Sequence, residues 1–168
     1  MLKFYNMIFI IWNYIIVFIF VKKCMLSKSS KYAIRAVLFL SSKASFENKM
    51  GSKYIAEQLK IPAPFLAKTL QELSKKGIIS SLKGPNGGFY LNKKNNTKNL
   101  FDIIACIDHL EKFENCFLGQ LECNDQNPCV IHHIYAPFKN KLIKKMKNKT
   151  ILDMANEHTK NNNAFNNL

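Results

Sequence analysis

The run from Ile61 to Leu91, IPAPFLAKTLQELSKKGIISSLKGPNGGFYL, limits the folds open to this chain more than any other stretch. Leu66, Leu70 and Leu73 recur at i, i+4 and i+7, which gives an amphipathic helix one apolar stripe to bury. Gly77 supplies its stop. Pro64, Lys68, Gln71 and Lys75 fall on the opposite face. Directly after it, Ile78, Ile79 and Leu82 on one side and Phe89, Tyr90 and Leu91 on the other flank KGPNGG. Glycine and asparagine tolerate positive φ and proline presets a turn, so this segment predicts a two-stranded hairpin. No Gly-Lys-Ser/Thr opens a helix here, which excludes a phosphate-binding P-loop.

Upstream, Tyr32, Ala33, Ala36, Val37 and Leu40 give helical spacing across residues 29–42. A polar turn with Asn48 and Gly51 follows, and Ser52 is suited to cap a second helix, SKYIAEQL. A short helix, a tight turn and a second amphipathic helix have the spacing of a helix-turn-helix. With the hairpin behind them, residues 25–98 are expected to be mainly α with a small β-hairpin wing, a winged helix-turn-helix.

Residues 99–158 read as a second unit. KKNNTKN, just before it, is a polar connector, and NLFDIIACIDHL is a short amphipathic helix. A cysteine-bearing loop then leads to a longer helix, bent or delayed at Pro137. Ile134, Phe138, Leu142 and Met146 form an apolar stripe on that helix, suited to a dimer seam or to packing on its own domain. TILDMANEH makes a last short helix, and residues 159–168 are a low-complexity tail expected to be disordered.

The loop holds three cysteines with the spacing Cys116-x6-Cys123-x5-Cys129-x2-His132, followed by His133. Thiolates at short loop spacing suit an iron–sulfur cluster or zinc. Zinc favours paired C-x2-C knuckles, and none occurs here. Asn127-Pro128 has the form of an N-cap with proline at the first helical position, which would place Cys129 in the first turn, where the helix dipole favours a thiolate. His132, three residues on, would share its face, with His133 a competitor. A Cys116–Cys123 disulfide switch is an alternative. Cys106 and His109 read as core and surface residues of the preceding helix, and Cys24 lies apart.

The formal net charge is +14 and the pI about 9.6, nearly all from lysine, since Arg35 is the only arginine. Such a balance points to a polyanion, nucleic acid or an anionic membrane surface, although an AT-rich coding bias would also raise lysine. Residues 1–24 carry a nearly unbroken apolar run from Phe4 to Val21, followed by Lys22 and Lys23. The favoured reading is a misassigned start with the domain opening at Met25; the alternative is a membrane anchor over residues 4–21. No nucleophile–base constellation marks an enzyme.

The stretches MLSKSSKYAIRAVLFL and IPAPFLAKTLQELSKKGIISSLKGPNGGFYL, and then the C-x6-C-x5-C-x2-H loop before a long helix, resemble the Rrf-two family of bacterial winged-helix regulators, from Met25 to about Glu157. The resemblance implies a homodimer that binds palindromic operators in double-stranded DNA, with the chain read as a cytoplasmic repressor of this type. It implies a long dimerisation helix and, in cluster-binding members, three cysteines holding a 2Fe–2S or 4Fe–4S cluster with a variable fourth ligand. That assigns metal-binding roles to Cys116, Cys123, Cys129 and His132, sensing iron–sulfur status, nitric oxide or redox state. The family's best-known cluster binders have x5 where this chain has x6, and some members carry no cluster, so zinc, thiol chemistry or no cofactor stand as alternatives.

A reading helix needs an exposed polar face above a fixed buried one. Pro64, Phe65, Lys68 and Gln71 are the candidates on the third helix, Lys68 for a guanine edge or phosphate and Gln71 for adenine. Ser52 suits a phosphate. Lys83, Gly84, Pro85 and Asn86 would carry the wing onto the minor groove or backbone. Lys75 and Lys76 suit positioning contacts to phosphate.

Overall fold

The computed structural model describes residues 26–108, 110, 113, 116, 118–119 and 124–160. Helix α1 spans Lys28–Lys43, α2 Ser52–Leu59 and α3 Ala63–Lys75. Strands β1 (Ser80–Leu82) and β2 (Gly88–Tyr90) follow, then the single turn α4 (Lys93–Asn96), α5 (Leu100–Ile107), α6 (His132–Lys147) and α7 (Ile151–Lys160). The expected mainly helical architecture with one hairpin wing is what forms.

One apolar core joins these elements. Ala33, Ala36, Val37 and Leu40 of α1, Ile55 of α2 and Leu66, Leu70 and Leu73 of α3 are fully or almost fully buried. Ile103 and Ile104 of α5 and Ile151 of α7 close the core from the C-terminal side. The two units of the sequence therefore share one interior, with α1 packed on both α5 and α7.

Local chemistry fixes the element ends. Ser27 caps α1, its hydroxyl accepting from the Ser30 amide at 3.1 Å. Helix α2 starts differently from expectation. Gly51 is its cap residue, with no side-chain cap bond, and Ser52 is the first helical residue. Extended backbone at Gly51 lets the helix open one residue early. The α2–α3 turn is made by Lys60 at φ 54°, a left-handed position. Arg35 donates to the Leu59 carbonyl at 2.7 Å, so the chain's only arginine satisfies an orphan carbonyl at the end of α2 and ties it to α1.

Strand β1 pairs antiparallel with β2, Ser80 facing Tyr90, Ser81 facing Phe89 and Leu82 facing Gly88. Ile78 and Ile79, expected to flank the hairpin, are buried ahead of the strand. Met50 extends the hairpin by exchanging backbone hydrogen bonds with Phe89, at 3.0 and 2.8 Å. That close approach requires glycine at 88, where a Cβ would meet the Met50 carbonyl oxygen at 2.8 Å.

The KKNNTKN segment is more than a connector. Asn92 and Asn95 form a reciprocal capping box around α4. Asn99 and Asp102 repeat the device on α5, and Thr150 and Asp153 on α7.

Helix α6 begins at His132 and runs unbroken past Pro137. Its N-cap is Ile131, so Asn127-Pro128 does not start the helix and Cys129 lies ahead of its first turn. The residues before it instead form turns, with the Asn124 side chain accepting from the amides of Gln126 and Asn127. The apolar stripe divides. Met146 is buried and Leu142 packs against the core, whereas Ile134 and Phe138 are 78% and 58% exposed. Among the described residues, no helix is long and apolar enough to cross a membrane. Residues 1–24, the tail beyond 160, His109 and Cys123 lie outside the described residues.

Candidate nucleic-acid interface and cysteine site

Helix α3 offers two faces of opposite character. Leu66, Leu70 and Leu73 are fully buried, while Pro64, Phe65, Lys68, Gln71 and Lys75 are exposed. Phe65, at 41% exposure, rests edge-on against Tyr32 of α1 with ring centroids 5.5 Å apart. That contact fixes the ring at the start of the helix, where an apolar group could meet a thymine methyl. Ser52 sits half-buried at the first position of α2.

The hairpin tip, Lys83 to Asn86, is fully solvent-facing. Its turn closes when the Gly87 amide donates to the Gly84 carbonyl at 2.9 Å. At the other end the hairpin is locked to α3. Asn95, only 4% exposed, accepts at Oδ1 from the Ser80 hydroxyl at 2.8 Å and from the Asn92 amide at 2.9 Å. Its Nδ2 donates to the Gly77 carbonyl at 3.0 Å. Ser74 of α3 and Ser81 of β1 share a further hydrogen bond of 2.7 Å. The angle between helix and wing is thus set by a buried amide whose hydrogen bonds run to both. The asparagine pair lies in a segment that reads as a polar connector, and its reach to Ser80 and Gly77 depends on tertiary packing.

Of the sequence-predicted cysteine site, two sulfurs meet. Cys116 Sγ and Cys129 Sγ lie 3.6 Å apart. This is a sulfur–sulfur hydrogen bond, and the separation is also close to the distance of about 3.8 Å between two ligands of one tetrahedral metal. It is well beyond a disulfide bond. His132 is buried, and its Nε2 is paired with Asp125 Oδ1 at 3.0 Å. Ligation through that nitrogen would have to displace Asp125. The ring of His133 stands edge-on to that of His132, 5.8 Å between centroids. Among the described residues, no three histidine, cysteine or acidic side chains converge. Asp125 carried no sequence signal, because its partner is fixed only once the loop folds onto α6. Cys106 stays apart from this site. Burial pushes its thiol above the ordinary range, Glu72 pushes it further up, and Lys76 offsets part of this. Cys106 is half-buried and packs against the core.

The end of α5, from which the cysteine segment leaves, is joined to the start of α1. Asp108, buried at the end of α5, accepts from the Ser27 amide at 3.1 Å, at the start of α1.

The comparisons agree with this fold. The structure of CymR from B. subtilis, described as a global cysteine regulator, superposes with a TM-score of 0.63 at 17% identity, covering 79% of this chain and 96% of that one. The T. potens IscR structure does so with a TM-score of 0.63 at 20% identity, covering 84% and 93%. In sequence, a protein of Aquifex aeolicus named as an HTH-type transcriptional regulator is 36% identical over 132 residues, 77% of this chain and 90% of that protein. The regulator IscR of Pectobacterium atrosepticum is 24% identical over 131 residues, 78% and 79% of the two chains. The family model for Rrf2, described as an iron-dependent transcriptional regulator, matches residues 26–157. With the winged-helix architecture and a match spanning nearly every described element, this chain belongs to the Rrf2 family of transcriptional regulators and is not an enzyme.

Proposed function

We propose that this regulator is a homodimeric repressor that reads a palindromic operator in double-stranded DNA through α3 and the hairpin. The observation that carries the reading is the two-faced α3, apolar face sealed and polar face open, with the wing held to it through Asn95. Lys68 and Gln71 read base edges, Phe65 and Pro64 pack at the groove entrance, and Ser52 with Lys83 to Asn86 hold the backbone. Val130, Ile134 and Phe138, exposed at 91%, 78% and 58%, form an apolar ridge that a second copy would cover.

Cys116, Cys123 and Cys129 are the proposed ligands of an iron–sulfur cluster. The 3.6 Å pair of Cys116 and Cys129 supports a metal between them. Such a cluster supplies a redox- and nitric-oxide-reactive centre whose loss would alter the loop. In this reading Asp125 orients the His132 ring beside the site, and His132 takes the fourth position only if that pair opens. The same sulfur pair also fits zinc or a thiol switch, in the cytoplasm or wherever thiols stay reduced.

The test is capture of genomic DNA fragments by the full chain, followed by sequencing. Enrichment of one inverted repeat is expected. Gln71→Ala should relax one position of each half-site, and Lys68→Ala should weaken binding about 5- to 100-fold. Capture that follows fragment length alone, with no shared repeat, would remove the reading.

A further inference from the structure

The exposed charge of this chain is not confined to the α3 face. Between Asp125 and Asp153 the sequence has no acidic residue and six lysines, all from Lys139 to Lys149. Lys141, Lys144, Lys145, Asn148 and Lys149 line one groove of about 530 Å³ at the C-terminal end of α6. Part of this lysine content is accounted for locally. Lys147 lies over the Phe101 ring at 4.9 Å, and Lys149 pairs with Glu157. Cations near a helix C-terminus also complement its dipole. That does not require three of them to face one concave surface, where their mutual repulsion is highest unless an anion is present.

The groove is tied to the wing. The Leu100 amide donates to the Lys149 carbonyl at 2.9 Å, and the Ile151 amide to the Lys98 carbonyl at 2.8 Å. These bonds fasten the end of α6 to the segment leading from α4, where Lys93 and Lys94 are exposed. Helix α4 is in turn the anchor of the hairpin, through Asn95. Exposed lysines at the base of the wing and at the end of α6 thus sit on one connected frame.

We infer that the Lys141–Lys144–Lys145 groove is a second phosphate-binding surface, engaging the backbone of duplex DNA outside the segment read by α3. The inference rests on the DNA-binding reading above. Its partner is double-stranded DNA because the groove shares a frame with the hairpin, and its lining of Lys141, Lys144, Lys145, Asn148 and Lys149 includes no aromatic platform for unpaired bases. It contributes affinity and no sequence information.

The test uses the full chain and a duplex of mixed sequence several helical turns long, with affinity measured across a salt series. Non-specific affinity depends on phosphate contacts, so no operator is needed. The variant carries K141Q, K144Q and K145Q together; Lys147 and Lys149 are left in place because they have structural partners. The K141R/K144R/K145R variant is the control, and circular dichroism of each checks folding. The expected result is a log K against log salt slope shallower by about 1 to 3 per protomer in the glutamine variant, and unchanged in the arginine variant. A glutamine variant that keeps both its fold and the parent slope overturns the inference. So does one whose only loss is binding to phosphatidylglycerol vesicles. If the unaltered chain itself shows no salt-dependent DNA binding, the underlying DNA-binding reading fails instead.

Discussion

Asn95 shows how much a single amide can carry. It is buried, and its two side-chain polar atoms are spent on Ser80, Asn92 and Gly77. Asn95→Ala strands those partners, so a loss of about 2–4 kcal/mol is expected in urea unfolding, with operator affinity falling alongside it. An unchanged midpoint would show that the wing is held by other contacts. Gly88→Ala acts on the same joint from the far side. At φ 155° and with the Met50 backbone against it, an added methyl should strain the hairpin by about 1–3 kcal/mol while leaving helical content intact by circular dichroism. Legibility at this scale was uneven. Lys68 and Gln71 are exposed on α3 as their positions opposite Leu70 required. Asn95 and Asp125 were not legible as anchors, because a polar residue in a polar run looks solvated until its partner from another element is known. Ser52 was placed one residue wrong because Gly51, without a side chain to bond, serves as the cap.

At the level of elements, apolar periodicity proved sufficient wherever one face had to be buried. The α3 stripe is the clearest instance, and Leu70→Ala should cost about 2–5 kcal/mol by leaving a core cavity. Lys68→Ala, two residues before Leu70 but on the open face, should leave the melting temperature within about 2 °C while weakening DNA binding. A Lys68→Ala variant that melts like Leu70→Ala would contradict the two-faced reading. Periodicity could not decide α6, where the stripe serves two environments. Leu142 and Met146 pack inward, and Ile134 and Phe138 do not. The start of α6 was misread because Pro128 suits a helical first position, yet the chain spends residues 124–131 in turns before Ile131 caps the helix. Helix α7 has a pH signature of its own. The Thr150 hydroxyl and then the Thr150 amide, both donating to Asp153, hold its carboxyl below the ordinary aspartate range, with a small further push from Lys149. A depressed carboxyl contributes stability that is present above its unfolded value and lost as pH falls through the folded one. The protection of the α7 amides, relative to their intrinsic exchange rates, should therefore fall as pH drops below the ordinary aspartate range. Asp153→Asn should flatten that part of the profile, and an identical acid profile in the variant would argue against the cap.

For the whole molecule, the shared core means that the cysteine loop and the DNA-facing helices are not independent. Asp108 at the mouth of the loop holds the start of α1, α1 carries Tyr32 against Phe65, and Arg35 of α1 holds the end of α2. These contacts link the end of α5, where the cysteine segment leaves, through α1 to the start of α3 and the end of α2. The sequence revealed the order of these parts but not their joints, which are made by residues far apart in the chain. The proposed cluster on the cysteine segment can be sought directly. The decisive measurement is the iron and acid-labile sulfide content of the full chain purified without oxygen, with its visible absorption. The account predicts a coloured protein carrying iron and sulfide in comparable amounts, with both lost in Cys129→Ser. A colourless chain that contains no iron and resists reconstitution would contradict it.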